Sequence, residues 1–243
     1  MPFTKNIIVT GSSGQIGQAF VRHLSQSNEG YYIYALDKNK FKNNKKNIQN
    51  IEIDITKEDE VLDFFSDINE LYGLVNNAGI GVFTPFLSRT LEEFKNVLDV
   101  NLVGTFLMTR ESIKIMIKKG HGKIINIGSI YGINSSDFRI YGESGRNNSE
   151  VYSISKSGVI MFSKYLAAHY ACKNIQINTI SPGGIKKNQA NEFIKKYNSK
   201  NPTGRMAVTR DLLPALDFLL DKKNEYINGE NIVIDGGFTK WWM

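Results

Sequence analysis

A tyrosine and a lysine four residues apart, Tyr152 and Lys156, are a candidate pair for proton transfer. Apolar residues recur at helical spacing around them, which predicts a helix over residues 152–171. Residues four apart share one face of a helix, so the ammonium would lie beside the phenol. A neighbouring cation favours the phenolate, and we therefore expect the pKa of Tyr152 to lie below its ordinary value of about 10. A phenol of this kind can act as a general acid or base.

The same spacing also arises by chance, as a packed aromatic ring beside a surface lysine, so the pair needs support from elsewhere in the chain. A glycine-rich turn over residues 11–17 gives the first support, because it follows a predicted strand and precedes helical spacing. Glycines let backbone N–H groups approach a pyrophosphate, and a helix N-terminus favours its negative charge. The residues of this predicted dinucleotide site are Gly11, Ser13, Gln15, Ile16 and Gly17.

A carboxylate at the end of the second predicted strand indicates which dinucleotide binds. Asp37 lies 20 residues after Gly17, at the position where a carboxylate accepts hydrogen bonds from the adenosine ribose. The same charge repels a 2′-phosphate, which predicts NAD(H) as the cofactor. A lysine cluster beside it keeps NADP(H) open; its members are Lys38, Lys40, Lys42, Lys45 and Lys46.

Strands and helices alternate along the whole chain, with no internal repeat or linker. This pattern predicts one α/β domain over residues 1–243, a Rossmann-type, doubly wound parallel sheet of about seven strands with helices on both faces. The third strand is predicted over residues 51–53, and the sixth over residues 175–180. A single long helix is predicted over residues 94–116, with Asn101 on it.

Two segments do not fit the alternation. Residues 133–151 are polar and lack periodicity, and a loop of this length is uncommon unless it is functional. Residues 186–203 are rich in lysine and asparagine and contain one short helical pattern, which suits a mobile lid. We expect both segments to border the substrate.

Composition limits the partners and the compartment. The formal charge of +6 allows anionic partners, but the lysine cluster is interleaved with asparagine and lacks stacking aromatics, so we expect no nucleic-acid binding. The single cysteine, Cys172, excludes an intramolecular disulfide and is compatible with a reducing compartment. We find no signal-peptide pattern and no apolar span of about 18 residues, which predicts a cytoplasmic protein without a membrane segment. We also expect no metal.

Taken in order, these motifs resemble those of the classical short-chain dehydrogenase/reductase family along essentially the whole chain. The matching elements are Thr10-Gly11 to Gly17, Asp54-Ile55, Asn76-Asn77-Ala78-Gly79, Asn101, Ser129, Tyr152 with Lys156, Pro182-Gly183 and Asp235-Gly236-Gly237. Each motif is weak alone, and the ordered set is specific. The resemblance implies a dinucleotide-dependent oxidoreductase.

The resemblance also implies a role for each matching residue. Tyr152 would be the proton donor or acceptor, and Ser129 would bind the same substrate oxygen. Asn101 would hold a proton-relay water, although a core amide satisfied by the backbone is the alternative. Lys156 would bind the nicotinamide ribose and lower the pKa of the tyrosine. The implied cofactor contacts are Asp54 and Ile55 at the adenine, Asn77, Ala78 and Gly79 as a wall, Tyr152 and Lys156 at the ribose, Pro182 and Gly183, and Ile185 at the nicotinamide carboxamide.

Two residues and one spacing depart from the family's pattern. Gln15 occupies the place of the middle glycine of the turn, which here lies one residue earlier, at Gly14. Lys187 occupies the place of a threonine that contacts the cofactor. Ser129 and Tyr152 lie 23 residues apart, more than is usual in the family, so an insertion lies beside the substrate site. Its side chains suit a polar substrate, with anionic and sugar-like substrates both open, unless the insertion is merely exposed; they are Arg139, Tyr141, Glu143 and Arg146.

Together these features predict an NAD(H)-dependent oxidoreductase that interconverts a secondary alcohol and a ketone on a polar small molecule. The long insertion and the Trp241-Trp242 ending resemble enzymes of bacterial surface-sugar pathways. One alternative is a 3-oxoacyl carrier-protein reductase, which the positive charge allows and Asp37 opposes. Another is a non-catalytic NAD-binding protein, which the complete catalytic set opposes. Family members are usually tetramers or dimers, so the resemblance implies a homo-oligomer.

Overall fold

The computed structural model of the protein describes residues 5–39, 45–142 and 147–240. Seven strands in these ranges form one parallel sheet in the order β3-β2-β1-β4-β5-β6-β7. The strands are β1 Lys5–Thr10, β2 Tyr31–Asp37, β3 Ile48–Glu52, β4 Gly73–Asn76, β5 Gly122–Ile127, β6 Ile175–Pro182 and β7 Asn231–Ile234. The predicted doubly wound parallel sheet is confirmed.

Helices cover both faces of this sheet. They are α1 Gln15–Leu24, α2 Glu58–Ser66, α3 Leu91–Leu98, α4 Thr105–Lys119, α5 Glu150–Tyr170, α6 Asn191–Lys200 and α7 Leu213–Leu220. Alternate side chains of β1 point to opposite faces: Ile7 and Val9 join the core under α1 and α7, and Ile8 joins the core under α2, α4 and α5. None of the helices in the described ranges is long and apolar enough to span a membrane.

The strand order brings the predicted site residues to one edge of the sheet. The chain runs from β1 outward to β3, returns to β4 beside β1, and then continues outward to β7. The change of direction between β1 and β4 leaves a crevice at their carboxyl ends, which is where ligands bind in sheets of this kind. Thr10, Asp37, Asn76, Ile127 and Pro182 end five of the strands and therefore lie along that edge.

Residues 94–116 are helical as predicted, but the helix is not a regular α-helix along its whole length. α3 ends at Leu98 and α4 begins at Thr105, and the Asp99–Gly104 segment between them is a π-helical turn. Such a turn holds an extra residue, which a periodic apolar pattern does not reveal. Two local contacts fix it: the Asn101 amide binds backbone groups outside the helix, and a Cβ on Gly104 would lie only 2.7 Å from Ile55.

Smaller differences concern the ends of elements. The third strand begins earlier than predicted, at Ile48, because that residue pairs with Ile33 of β2 and is buried. The sixth strand continues through Pro182, which pairs with Ile234 of β7. The predicted helix around Tyr152 is confirmed as α5, which starts at Glu150.

The insertion and the lid pack against each other. Ile140 of the insertion forms a small separate core with Tyr197 of α6 and with Met206. The segment predicted to be a mobile lid is therefore docked on the insertion in this structure. Several residues of the earlier predictions lie outside the described ranges: Lys40, Lys42, Glu143, Arg146, Trp241 and Trp242.

Candidate active site

The predicted tyrosine and lysine lie on one face of α5, at its first two turns. Ser149 caps the helix, with its Oγ accepting the Tyr152 N–H at 3.3 Å. The Nζ of Lys156 lies 5.7 Å from the centroid of the Tyr152 ring. The same Nζ donates a hydrogen bond of 2.7 Å to the carbonyl of Ile127, the last residue of β5. The end of a central strand therefore fixes the position of the ammonium.

Ser129 completes the predicted catalytic group. It follows β5 by two residues, is buried, and has its hydroxyl beside the phenol of Tyr152. Its Oγ also accepts the backbone N–H of Tyr131 at 3.1 Å, which holds the hydroxyl in place. The structure thus brings together a serine hydroxyl, a phenol and an ammonium from segments that are distant in the chain.

The electrostatics of the pair differ from the prediction. Burial raises the pKa of the Tyr152 phenol, and the hydrogen bond with Ser129 opposes that rise without cancelling it. Burial also lowers the pKa of the Lys156 ammonium to about 8. The predicted lowering of the tyrosine pKa is therefore wrong for this structure. The reason is the desolvation of the buried phenol, while the Lys156 ammonium is bound to the Ile127 carbonyl.

Asn101 is a buried amide with protein partners on both sides. Its Oδ1 accepts the Ile80 N–H at 2.8 Å, and its Nδ2 donates to the Ile80 carbonyl at 3.0 Å and to Ser155 Oγ at 2.9 Å. Both amide N–H groups are therefore used within the protein, as in the core-amide alternative. Asn101 joins the loop after β4 to α5, and its role as the holder of a relay water stays a prediction.

A continuous crevice runs along the carboxyl edge of the sheet. A cavity of about 520 Å³ surrounds Ser129, Tyr152 and Lys156, and a second of about 470 Å³ lies along the glycine turn. The two share lining residues, namely Ile16, Asn77, Gly79 and Ile80. The predicted cofactor residues all line the crevice except Gly17.

The glycine turn fits the pyrophosphate of a dinucleotide. Gly11 has a φ of +64°, and a Cβ there would lie 2.7 Å from the Cα of Ala78. A Cβ on Gly17 would lie 2.1 Å from the carbonyl oxygen of Gly11, so Gly17 lets the helix pack on the turn. The N-cap of α1 is Gly14, which offers no side-chain acceptor. The first N–H groups of α1 are thus available to an anion at the positive end of the helix.

The adenosine end of the crevice contains two carboxylates. Asp37 accepts the N–H groups of Ser13 at 2.9 Å and of Asn39 at 2.8 Å, so it also holds the glycine turn. Asp54 accepts a hydrogen bond from Lys38 at 3.0 Å. Lys38, which follows Asp37 in the chain, is therefore paired with Asp54 and not with Asp37. The predicted contacts of Asp37 with the ribose and of Asp54 with the adenine stay predictions.

The substrate end of the crevice has aromatic walls. The insertion supplies Tyr141 and the lid supplies Phe193, with their ring centroids 5.4 Å apart. Further walls that the sequence reasoning missed are Phe83, Tyr131, Tyr197 and Met206. The apolar stripe of the lid was visible in the sequence, but its spacing alone does not reveal which cavity it faces.

For Arg139 this structure agrees with the alternative of an exposed side chain, and a role toward the substrate stays a prediction. Its guanidinium forms two hydrogen bonds with Asp137, of 2.9 and 3.0 Å, and its side chain is 71% exposed and does not line the cavity. Within the described ranges, the charged residues that line this cavity are Lys156 and Glu192.

The comparisons with known proteins cover nearly the whole chain. A family model described as enoyl-(acyl carrier protein) reductase matches residues 12–239. The 3-oxoacyl-(acyl-carrier-protein) reductase FabG of Rickettsia typhi is 33% identical in an alignment 241 residues long that covers 96% of each chain. The post-translational flagellin modification protein A of Campylobacter coli is 29% identical over 251 residues, covering 96% of this chain and 98% of that protein.

A solved structure is similar over the same length. The short chain dehydrogenase from Leptospira borgpetersenii with bound NAD⁺ is 41% identical, with a TM-score of 0.91, and the match covers 98% of this chain and 94% of that one. The matched length includes the sheet, the crevice and the segments that carry Ser129, Tyr152 and Lys156.

Proposed function

The chain belongs to the short-chain dehydrogenase/reductase family of oxidoreductases, and from this premise we propose that it interconverts a secondary alcohol and a ketone with NAD(H) as cofactor. The observation that carries the proposal is the meeting of Ser129, Tyr152 and Lys156 beside a crevice that fits a dinucleotide. A non-catalytic NAD-binding protein would not need this group of side chains.

The protein's part in the reaction is proton transfer and charge stabilisation. Bound NAD(H) supplies the hydride donor or acceptor. In ketone reduction, the phenol of Tyr152 donates its proton to the substrate oxygen while Ser129 donates a hydrogen bond to the same atom. The ammonium of Lys156 stabilises the phenolate that remains. Because burial raises the pKa of Tyr152, the phenol is protonated at neutral pH, which suits the reducing direction.

The adenosine end supports NAD(H) over NADP(H). The carboxylate of Asp37 lies at the end of β2 and lines the crevice, where it would repel a 2′-phosphate. Lys38 is paired with Asp54, so it is not poised for that phosphate. The solved Leptospira relative has NAD⁺ bound, which agrees with this preference.

We expect kcat/KM for NADH to exceed that for NADPH by at least about tenfold. Repulsion between the Asp37 carboxylate and a 2′-phosphate should cost at least about 1.4 kcal/mol, which corresponds to this ratio. Asp37→Asn keeps an acceptor oxygen for the Ser13 N–H but removes the charge. The ratio of kcat/KM for NADH to that for NADPH should therefore fall towards one in this variant. Steady-state kinetics with both nucleotides measure this ratio. An unchanged ratio in the variant would remove Asp37 from cofactor selection, and a wild-type preference for NADPH would contradict the assignment of NAD(H).

The aromatic walls support a substrate with a ring, such as a sugar derivative. The C–H faces of a sugar ring pack well against aromatic side chains, and a few polar groups then fix its orientation. Tyr131 and Tyr141 supply such groups, with their hydroxyl oxygens 3.3 Å apart. The Campylobacter relative is named for the post-translational modification of flagellin, which agrees with a role in modifying a surface protein.

A 3-oxoacyl carrier-protein reductase is the second candidate, because the Rickettsia relative has that name and this chain carries a charge of +6 that suits an acidic carrier protein. NADH consumption should be compared between acetoacetyl carrier protein and a panel of keto-sugars and cyclic ketones. Faster turnover of the ring ketones supports the first candidate. A kcat/KM for the carrier-protein substrate at least about tenfold higher would favour the second.

We also infer that the protein is a homo-oligomer. Two exposed apolar stripes would form the interface between subunits: one lies on α5, and the other runs from the π-helical turn into α4. Ile154, Met161 and Tyr165 of α5 are 51%, 64% and 67% exposed at helical spacing, and Val103 and Phe106 expose a neighbouring stripe. Contiguous apolar surface of this kind is typical of interaction sites. A dimer or a tetramer is expected.

Met161→Glu should shift the protein towards a smaller assembly, because a charge would be buried without a partner at the interface. Light scattering after size-exclusion chromatography measures the mass directly. Phe218→Glu is the matched control, since Phe218 is an exposed apolar residue on α7, which covers the opposite face of the sheet from α4 and α5. A wild-type monomer, or equal effects of the two variants, would contradict this interface.

A further inference from the structure

Gln15 connects two parts of the site that lie far apart in the chain. It is the first residue of α1, in the place where the glycine turn of the family has a glycine and therefore no side chain. Its Nε2 donates a hydrogen bond of 2.7 Å to the carbonyl oxygen of Lys186, at the start of the lid. The bond spans the crevice between the glycine turn and the segment after β6.

Hydrogen bonds within the protein hold the start of the lid in position to accept this bond. Lys186 N–H donates to the carbonyl of Ala207 at 2.8 Å, and Ala207 N–H donates to the carbonyl of Gly184 at 3.0 Å, so the start of the lid is paired with the segment that follows the lid. Gln189 folds back to donate to the Ile185 carbonyl at 2.8 Å. A hydrogen bond to the Lys186 carbonyl therefore holds the first residues of the lid in place.

The lid in turn carries a wall of the substrate cavity. Tyr197 of α6 accepts the N–H of Gly184 at 2.6 Å and stacks on Phe238, with their ring centroids 4.6 Å apart. A connected path thus leads from Gln15 through Lys186 and Gly184 to Tyr197. Each step is a hydrogen bond or a short backbone connection, so a shift at Lys186 would move the aromatic wall.

We propose that Gln15 is a positioning residue whose amide clasps the base of the lid to the N-terminus of α1, across the middle of the dinucleotide crevice. The clasp keeps the lid docked and opens when the dinucleotide enters or leaves. It therefore slows release of the nucleotide and couples the cofactor end of the crevice to the substrate wall. The effect on the nucleotide rests on the proposed function, and the effect on the lid does not.

Gln15→Met tests the clasp because it keeps the length of the side chain and removes the donor. Limited digestion with trypsin, without nucleotide, reports on the lid through its lysines. We expect faster cleavage within residues 186–203 in the variant. Gln18→Met is the matched control, since the Gln18 amide binds the Ser13 carbonyl at 2.8 Å within the glycine turn and does not reach the lid. Unchanged cleavage in Gln15→Met, or equal cleavage in both variants, would overturn the clasp.

Stopped-flow fluorescence of NADH then tests the coupling to the nucleotide. Loss of one net hydrogen bond should raise the dissociation rate of NADH about two- to tenfold in Gln15→Met. The rate should be unchanged in Gln26→Met, a substitution beyond the C-terminal end of α1 and away from the glycine turn. An unchanged dissociation rate in Gln15→Met would overturn the coupling. If the wild-type protein does not bind NADH, the proposed function fails, whereas the digestion experiment still decides whether the clasp exists.

Discussion

Tyr152→Phe is expected to lower kcat by about 10²–10⁴-fold, the usual contribution of a positioned general acid or base. The substitution removes the hydroxyl oxygen from a ring that lies near the Lys156 ammonium and beside Ser129. The ring stays in place, so the fold should not change, and the affinity for NADH should fall by at most about tenfold through the loss of one predicted hydrogen bond to the ribose. Turnover of a ketone and fluorescence titration with NADH measure the two quantities separately.

Tyr170→Phe is the matched control for this result. Tyr170 is the last residue of the same helix, α5, and is not among the residues that line the cavity. It should keep most of the turnover. If Tyr152→Phe retained more than about a tenth of wild-type turnover, Tyr152 would not be the proton donor.

Lys156 should give the second large effect, visible in the dependence of activity on pH. Burial lowers the pKa of its ammonium to about 8, so the positive charge is lost as the pH rises through that value. Burial raises the pKa of Tyr152, so the phenol is still protonated there. In ketone reduction the charge is needed to stabilise the phenolate, and kcat/KM should therefore be constant below about pH 8 and fall above it.

Two variants separate the charge from the side chain. Lys156→Arg keeps a cation at every accessible pH, so the fall above pH 8 should disappear even if the activity is lower. Lys156→Met removes the charge, and its activity should be low, by about 100-fold, and independent of pH in this range. Profiles over the neutral and alkaline range measure this. A fall at the same pH in Lys156→Arg would assign the titration to another group.

The sequence predicted the fold and the meeting of the catalytic residues well, because both follow from strong local patterns. Seven apolar strand runs separated by helical spacing lead to a doubly wound sheet, and parallel strands place their carboxyl ends at one edge. Ser129 follows the end of β5 by two residues, and the Lys156 ammonium binds the carbonyl of the last residue of β5. The topology alone therefore brings Ser129 and Lys156 close together. Asp37 reached the crevice for the same reason.

Other features depend on packing that no local pattern records. The π-turn at Asn101 arises from contacts with Ile80 and Ser155, which are distant in the chain. The pKa of Tyr152 depends on the balance between desolvation and charge, and sequence spacing gives only the second. Arg139 has an acidic neighbour, Asp137, and forms an ion pair with it. The residue types were visible in each case, and their partners were not.

The central claim is that the hydroxyls of Ser129 and Tyr152 act on one substrate oxygen, and a double-mutant cycle tests it most directly. The turnover of Ser129→Ala, Tyr152→Phe and the double variant should be measured on the same ketone with NADH. Residues that act as a unit are strongly non-additive, so the double variant should be within about tenfold of Tyr152→Phe alone. Losses that multiply in the double variant would mean that the two hydroxyls act independently, which contradicts the account.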